Sequence, residues 1–278
     1  MNSSILKKLI KSKETLIMPD AYDPLSAKLI ENAGFKAVQC SGYSFSLVNC
    51  IKKEVNLSLK QNLEITSKIV SSVSIPVMGD AEDGYTNAQK IGNTVVEFIR
   101  TGASGMNIED QIQNELPGVQ IVDLITMTEK IQNARNAADK IDPDFIINGR
   151  TDALKAGENR SENLSTAIKR ANAYLNVGAD LVFIPYVKTL EEAEIISKRV
   201  KGPVSIAIGL PYNINNLSIN DLKELNIARI SLPNLLIHSS IHAMKNALNH
   251  INNDKISDLS KKKLISSSEE LNKLIKHF

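Results

Sequence analysis

Four stretches of this chain, residues 31–38, 100–108, 176–184 and 225–232, repeat one local design: a helical pattern ends and an apolar, strand-like run begins within a few residues. In the first three a glycine (Gly34, Gly102, Gly178) stands at the joint, where leaving a helix calls for a left-handed residue. A helix-to-strand unit that recurs along a chain leaves few folds to choose from. Reading outward from the joints predicts strands at 15–20, 36–41, 75–82, 105–109, 144–150, 180–185, 203–208 and 228–232. Amphipathic stretches lie between them. Ile91, Val95, Phe98 and Ile99 share one helical face, and Leu164, Ala167, Ile168, Ala171, Tyr174 and Leu175 share another. Strands alternating with helices, with no hairpin between consecutive strands, predict an α/β fold closed as a (β/α)8 TIM barrel. The competing arrangement, an open doubly wound sheet, brings a glycine-rich first turn that is missing here.

A chain of 278 residues accommodates such a barrel as one domain. The barrel is expected to span residues 1–250, leaving 251–278 as a C-terminal helical extension that an eighth helix does not require. That extension either packs on its own barrel or reaches a neighbouring subunit. The net charge of +2, with Lys and Arg spread along the chain, gives no footing for nucleic acid or an anionic membrane surface. Residues 1–13 lack the apolar core and cleavage site of a signal peptide, and no run is long enough to span a bilayer. Cys40 and Cys50 show no metal-type spacing, so a reduced, cytoplasmic setting is expected.

In barrels of this kind chemistry gathers at the C-terminal ends of the strands. The predicted ends supply Asp20, Ser41, Gly42, Tyr43, Asp80, Glu82, Glu109, Asp110, Gln111, Arg150 and Asp152. Strand alternation puts Asp80 and Glu82 on one face, and crowded carboxylates are tolerated where a cation or a proton sits between them. Hard oxygen donors from several strands suit Mg2+ or Mn2+. Because Mg2+ keeps several of its waters, Asp80 is the expected direct ligand and the other acids act through water. Arg150 beside such an ion matches a substrate carboxylate, with a structural ion pair to the acids as the plainer alternative. Gly42 lets backbone N–H groups approach an anion. Metal, guanidinium and backbone donors around one anionic oxygen stabilise an enolate, the charge that develops when a bond next to a 2-oxo acid breaks. Tyr43, Tyr85 and Gln111 are candidates for moving protons or orienting the substrate. The four histidines, His238, His242, His250 and His277, all follow the last strand and are not expected to be catalytic.

Taken in order, these residues resemble the isocitrate lyase and phosphoenolpyruvate mutase superfamily over roughly residues 15–250. The anchors are residues 18–27, Ser41-Gly42, residues 79–85, residues 107–111 and residues 148–152. The resemblance implies Mg2+ on Asp80, its waters held by Glu82 and Glu109, and a substrate carboxylate on Arg150. It also implies an oxo-acid end cradled by Ser41, Gly42 and Tyr43, and a homotetramer with exchanged C-terminal helices. Isocitrate and methylisocitrate lyases of this superfamily carry a catalytic Cys within a Lys-Lys/Arg-Cys-Gly-His segment after strand four. Residues 112–120 here contain neither Cys nor His. The mutase landmarks are also altered. Asn114 is the one counterpart of a gating Lys and Asn-Ser pair, an aspartate after strand two aligns with Lys53 or Glu54, and a strand-six histidine aligns with Pro185.

The chain is thereby placed in a mutase-like or lyase-like branch lacking the cysteine segment. The expected activity is Mg2+-dependent cleavage of a C–C bond beside the carbonyl or hydroxyl of a small 2-oxo or 2-hydroxy acid, through a pyruvate-like enolate. Phosphonomutase-type C–P chemistry is the alternative, and an inactive barrel binding a small acid or a protein is a third. A Schiff-base aldolase would use Lys188, read as a solvated lysine, and a sugar-phosphate barrel would need more than Gly209 in its last loops. The loop from Gln111 to Gln120, with Gly118 as pivot, is expected to close over the site.

Overall fold

The computed structural model describes residues 2–112, 114 and 118–276. Its strands are β1 (Leu16–Pro19), β2 (Val38–Gln39), β3 (Val77–Asp80), β4 (Gly105–Glu109), β5 (Ile146–Arg150), β6 (Leu181–Ile184), β7 (Val204–Ala207) and β8 (Arg229–Leu232). All pair in parallel, in the order β1-β8-β7-β6-β5-β4-β3-β2. The two ends of that order meet where Asp20 bridges Gln39 and the Ala21 N–H donates to the Gln39 carbonyl at 2.9 Å. The sheet is a nearly closed barrel, as the alternating pattern predicts, and not an open sheet.

The helices are α1 (Asn2–Lys11), α2 (Pro24–Asn32), α3 (Gly42–Val48), α4 (Leu59–Ser72), α5 (Ile91–Arg100), α6 (Leu124–Asp139), α7 (Arg160–Asn176), α8 (Leu190–Arg199), α9 (Ile219–Glu224), α10 (Leu235–Asn252), α11 (Ile256–Lys261) and α12 (Ser268–Ile275). Gly34, Gly102 and Gly178 leave their helices with φ of +87°, +84° and +108°. At the fourth joint Asn226 takes the same left-handed position at +54°, a conformation asparagine adopts more readily than other side chains. Phe98, Ile131, Tyr174, Ile196 and Leu222, one from each of α5 to α9, fill the layer between strands and helices. Leu6 and Ile10 of α1 are buried with Leu16, Met78, Ile146 and Leu181, closing the N-terminal end of the barrel.

One expectation needs correction. Strand β3 ends at Asp80 and does not reach residue 82, because Glu82 turns left-handed at φ +50°. Among the described residues beyond α10 the tail forms two short helices, α11 and α12. No residue of α12 is buried, and α10 buries only Ile237.

Candidate active site

The barrel's own register assembles the C-terminal face. Asp80 lies beside Asn107, and Glu109 beside Arg150. Glu82 reaches the same place by a route other than alternation. Its left-handed turn follows the strand, and its carbonyl accepts from the Glu109 N–H at 2.8 Å. Its carboxylate then occupies the space a side chain on Gly42 would take: a Cβ there would lie 1.5 Å from Glu82 Oε1 and 3.2 Å from Glu54 Oε1. The Gly42 N–H, at the start of α3, donates to Asp80 Oδ2 at 3.2 Å. The glycine thus serves the protein's own acids, where the sequence pattern alone suggested a place for a substrate anion.

Arg150 is the cation among these acids. Its Nη1 pairs with Glu109 at 2.7 Å and its Nη2 with Asp152 at 3.0 Å, which is the ion pair held above as the plainer alternative. Asp152 is positioned in turn, because its N–H donates to Asp110 Oδ1 at 2.9 Å. Asp110 Oδ2 accepts from Arg170 Nε at 2.7 Å and from the Tyr174 hydroxyl at 2.6 Å. Asp110 is therefore an anchor behind the site.

A cavity of 210 Å3 opens at this face, with Ser41, Tyr43, Glu54, Asp80, Asn107 and Arg150 in its lining. Crowding sets its electrostatics. Burial, reinforced by Asp80, pushes Glu82 well above the usual carboxylate range and lifts Glu54 to about 7. Burial also raises Glu109 well above that range, against the opposing pull of Arg150. Positive charge is in deficit here. Asp80 Oδ1 is buried with no hydrogen-bond partner among the described residues. No three His, Cys, Asp or Glu side chains among the described residues converge tightly enough to hold one ion directly. That donor set fits Mg2+ with one carboxylate ligand and a shell of waters better than an all-protein cage.

The remaining candidates fall elsewhere. Gln111 does not line the cavity; its backbone bridges Ile121, and Ile112 donates to the Gln120 carbonyl at 2.8 Å. Gly118 has φ +84°, while Gln113 and residues 115–117 of the predicted closing loop lie outside the described residues. The Tyr85 hydroxyl accepts from Asn62 Nδ2 at 2.8 Å, and the same amide donates to the Asp80 carbonyl, so Tyr85 props the end of β3. His238 meets the Tyr43 ring edge-on at 6.1 Å. His242 and His250 lie on α10, and His277 is outside the described residues. Lys188 is exposed beyond β6.

A family model for phosphoenolpyruvate phosphomutase matches residues 6–252. The chain belongs to the phosphoenolpyruvate phosphomutase family. Within this family it is 31% identical over 276 residues to the chloroplastic carboxyvinyl-carboxyphosphonate phosphorylmutase of Arabidopsis thaliana, covering 96% of this chain and 79% of that protein. It is 30% identical over 202 residues to 2,3-dimethylmalate lyase of Eubacterium barkeri, covering 71% and 68%. Among solved structures, a phosphonopyruvate hydrolase complex with oxalate and Mg2+ superposes with a TM-score of 0.86 at 27% identity, over 99% of this chain and 95% of that one. The curated relatives are named mutases, lyases and hydrolases, so the family is one of enzymes.

For this phosphomutase-family chain, sequence reading left several cavity residues without a role. Glu54 was one of two alternatives in the alignment, and only the short helical turn Glu54–Asn56 brings its carboxylate in. Tyr186 and Tyr212 carry no motif; the one available signal was their place just after strands six and seven. Asp20 lies outside the cavity lining. It is buried at the β1–β2 closure, its Oδ2 accepts from Ser44 Oγ at 2.5 Å and from the Asn234 N–H at 3.2 Å, and its Oδ1 has no partner among the described residues.

Burial raises Asp20 to about 8, so the fold favours its protonated form. That contribution is complete below the unfolded value near 4 and is lost as pH rises through about 8. Thermal melts in EDTA from pH 5 to pH 9 are expected to show the midpoint falling across this window. In Asp20→Asn, whose side chain cannot ionise, the slope is expected to be shallower. Parallel slopes would show that Asp20 takes up no proton on folding.

No helix among the described residues is long and apolar enough to cross a membrane.

Proposed function

We propose that this protein is a divalent-metal-dependent carbon–carbon lyase acting on small 2-hydroxy or 2-oxo acids. One observation carries the reading: the acids Asp80, Glu82, Glu109 and Glu54 are gathered around a single guanidinium, and a buried carboxylate oxygen of Asp80 has no partner among the described residues. In our reading Asp80 holds Mg2+, or Mn2+ in its place, directly, and Glu82, Glu109 and Glu54 hold its waters. When bound, the ion supplies positive charge for the carboxylate and adjoining oxygen of the substrate. The Mg2+ and oxalate in the phosphonopyruvate hydrolase structure support a bound Mg2+ as part of this reading.

Arg150, clamped by Glu109 and Asp152, presents a rigid guanidinium to a substrate carboxylate. Ser41 and Tyr43 line the cavity beside Asp80, and Tyr43 is 40% exposed, open enough to pass a proton between cavity and solvent. With a 2-hydroxy acid, the hydroxyl proton leaves and the C2–C3 bond breaks. Its electron pair moves to C3 as an enolate of the departing acid, and protonation of C3 completes the products. The held charges stabilise that enolate because they need no reorganisation as it forms.

Phosphonomutase-type C–P chemistry is the second reading, favoured by the 31% identity to carboxyvinyl-carboxyphosphonate phosphorylmutase. We also read the exposed Met244, Leu248 and Ile251 of α10 as contacts of a homotetramer, and the protein as cytoplasmic. The deciding experiment incubates the protein and Mg2+ with 2,3-dimethylmalate, oxaloacetate, methylisocitrate and phosphonopyruvate, followed by NMR with an EDTA control. Pyruvate from an acid of the malate type, abolished by EDTA, is the expected result. Turnover of phosphonopyruvate alone would assign the C–P reading, and turnover indifferent to EDTA would remove the metal.

A further inference from the structure

Beyond its acids the cavity changes character. Phe183, Pro185, Leu210 and the rings of Tyr186 and Tyr212 also line it, and Phe183 pairs beside Arg150 with its ring centre 5.8 Å from the guanidinium carbon. Among the described residues Arg150 is the one cation in its lining, and residues 111–122, which follow β4, contain no Lys, Arg or His. Behind the two tyrosines lies a second cavity of 520 Å3 with Lys155, Arg160 and Lys188 in its lining; Tyr186 and Tyr212 face both spaces. Arg160 is committed to Glu192 at 2.6 and 2.7 Å, whereas the Lys155 ammonium stands 4.9 Å from the centre of the Tyr186 ring.

The partition is built under strain. Tyr186 has φ +66°, a left-handed conformation unfavourable for a bulky side chain. It is held from both sides: its N–H donates to the Tyr212 phenol oxygen at 3.1 Å, and its carbonyl accepts from Arg160 Nη2 at 2.6 Å. The two rings meet at 5.6 Å between centroids. Strain kept at a cavity wall by dedicated bonds points to a position that matters for what the cavity holds.

We propose that Tyr186 and Tyr212 select the substrate class, confining the site to small dicarboxylic acids with alkyl substituents and excluding tricarboxylic acids by shutting off the lysines behind them. The inference rests on the lyase reading above. A dicarboxylate has two anchors there, the acid-held ion and Arg150. A third carboxylate inside 210 Å3 would find no second cation in the lining, where the neutral Gln39 and Ser231 are already bonded to each other, and a buried charge without a counter-charge is strongly unfavourable. An alkyl group instead finds Phe183, Pro185 and Leu210.

The test compares 2,3-dimethylmalate with 2-methylisocitrate on the Mg2+-loaded protein. Wild type should favour the dicarboxylate in kcat/KM by about 100-fold or more, and Tyr212→Ala should narrow that ratio at least about tenfold, through KM for the tricarboxylate. Adding Lys155→Met to Tyr212→Ala should restore the ratio, while Lys155→Met alone should leave it where it was. If Tyr212→Ala does not fold, Tyr186→Gly removes the other ring and relieves the left-handed strain. An unchanged ratio in a folded variant, or a wild-type preference for the tricarboxylate, overturns the proposal. If wild type cleaves neither acid, the lyase reading fails on its own. The wall is then read by calorimetry, titrating methylsuccinate and tricarballylate into the Mg2+-loaded wild type and variant. Selectivity for methylsuccinate that weakens in the variant supports it, and equal affinities in wild type overturn it.

Discussion

Asp80→Asn is expected to lower turnover by about 10^3-fold or more while making the metal-free protein more stable to heat. The two effects share one cause. Asp80 is among the charges that push Glu54, Glu82 and Glu109 upward, so neutralising it relieves repulsion inside a buried cluster. Asparagine keeps an oxygen for the Gly42 N–H, so that hydrogen bond survives. Each kcal/mol relieved should raise the melting midpoint by about 2–4 °C in a chain of this size. Added Mg2+ should stabilise the wild type by mass action and leave Asp80→Asn unmoved. The measurement is a pair of thermal melts, with EDTA and with saturating Mg2+, alongside steady-state rates. An equal Mg2+-induced rise in both proteins would mean that Asp80 is not the ligand.

Gly42→Ala is expected to be the most damaging single methyl group in the molecule. Its Cβ would lie 1.5 Å from Glu82 Oε1 and 2.7 Å from the carboxyl carbon, so either Glu82 swings away or the start of α3 shifts. Overpacking of this kind costs about 1–3 kcal/mol in stability. The displaced carboxylate should also cost about 100-fold or more in turnover, since misplacement by an ångström is enough for that. Shortening the acid offers a rescue. Gly42→Ala combined with Glu82→Asp should recover part of the lost stability and rate, as read by urea unfolding and initial velocities. A double variant no better than Gly42→Ala alone would place the damage in the α3 backbone.

These two residues also mark how far the sequence could be read. Asp80 stood out because an apolar strand running into acids is visible in the letters, and β3 does end there. Glu82 comes close to it by a route other than strand alternation. Alternation assumes that the strand continues, and the turn at φ +50° is decided by the contact with Glu109 across the sheet. Gly42 was read as room for a ligand, yet the space is filled by the chain's own Glu82, forty residues away in sequence. Helix α1 went unread because Leu6 and Ile10 gain their burial only from the barrel end they close.

What the sequence determined by itself is the repeating unit. Period, joint residues such as Gly34, Gly102 and Gly178, and apolar faces such as Ile91, Val95 and Phe98 are local, and local patterns repeated along a chain define a barrel and the strand ends that carry chemistry. Only the tertiary structure decided the electrostatics: that Arg150 is clamped by Glu109 and Asp152, that Glu54 and Asp20 are buried, and that Tyr186 and Tyr212 stand between two cavities. The reason is physical. A charge acquires its environment from whatever surrounds it in space, and those neighbours come from strands whose separation along the chain carries no trace of their contact.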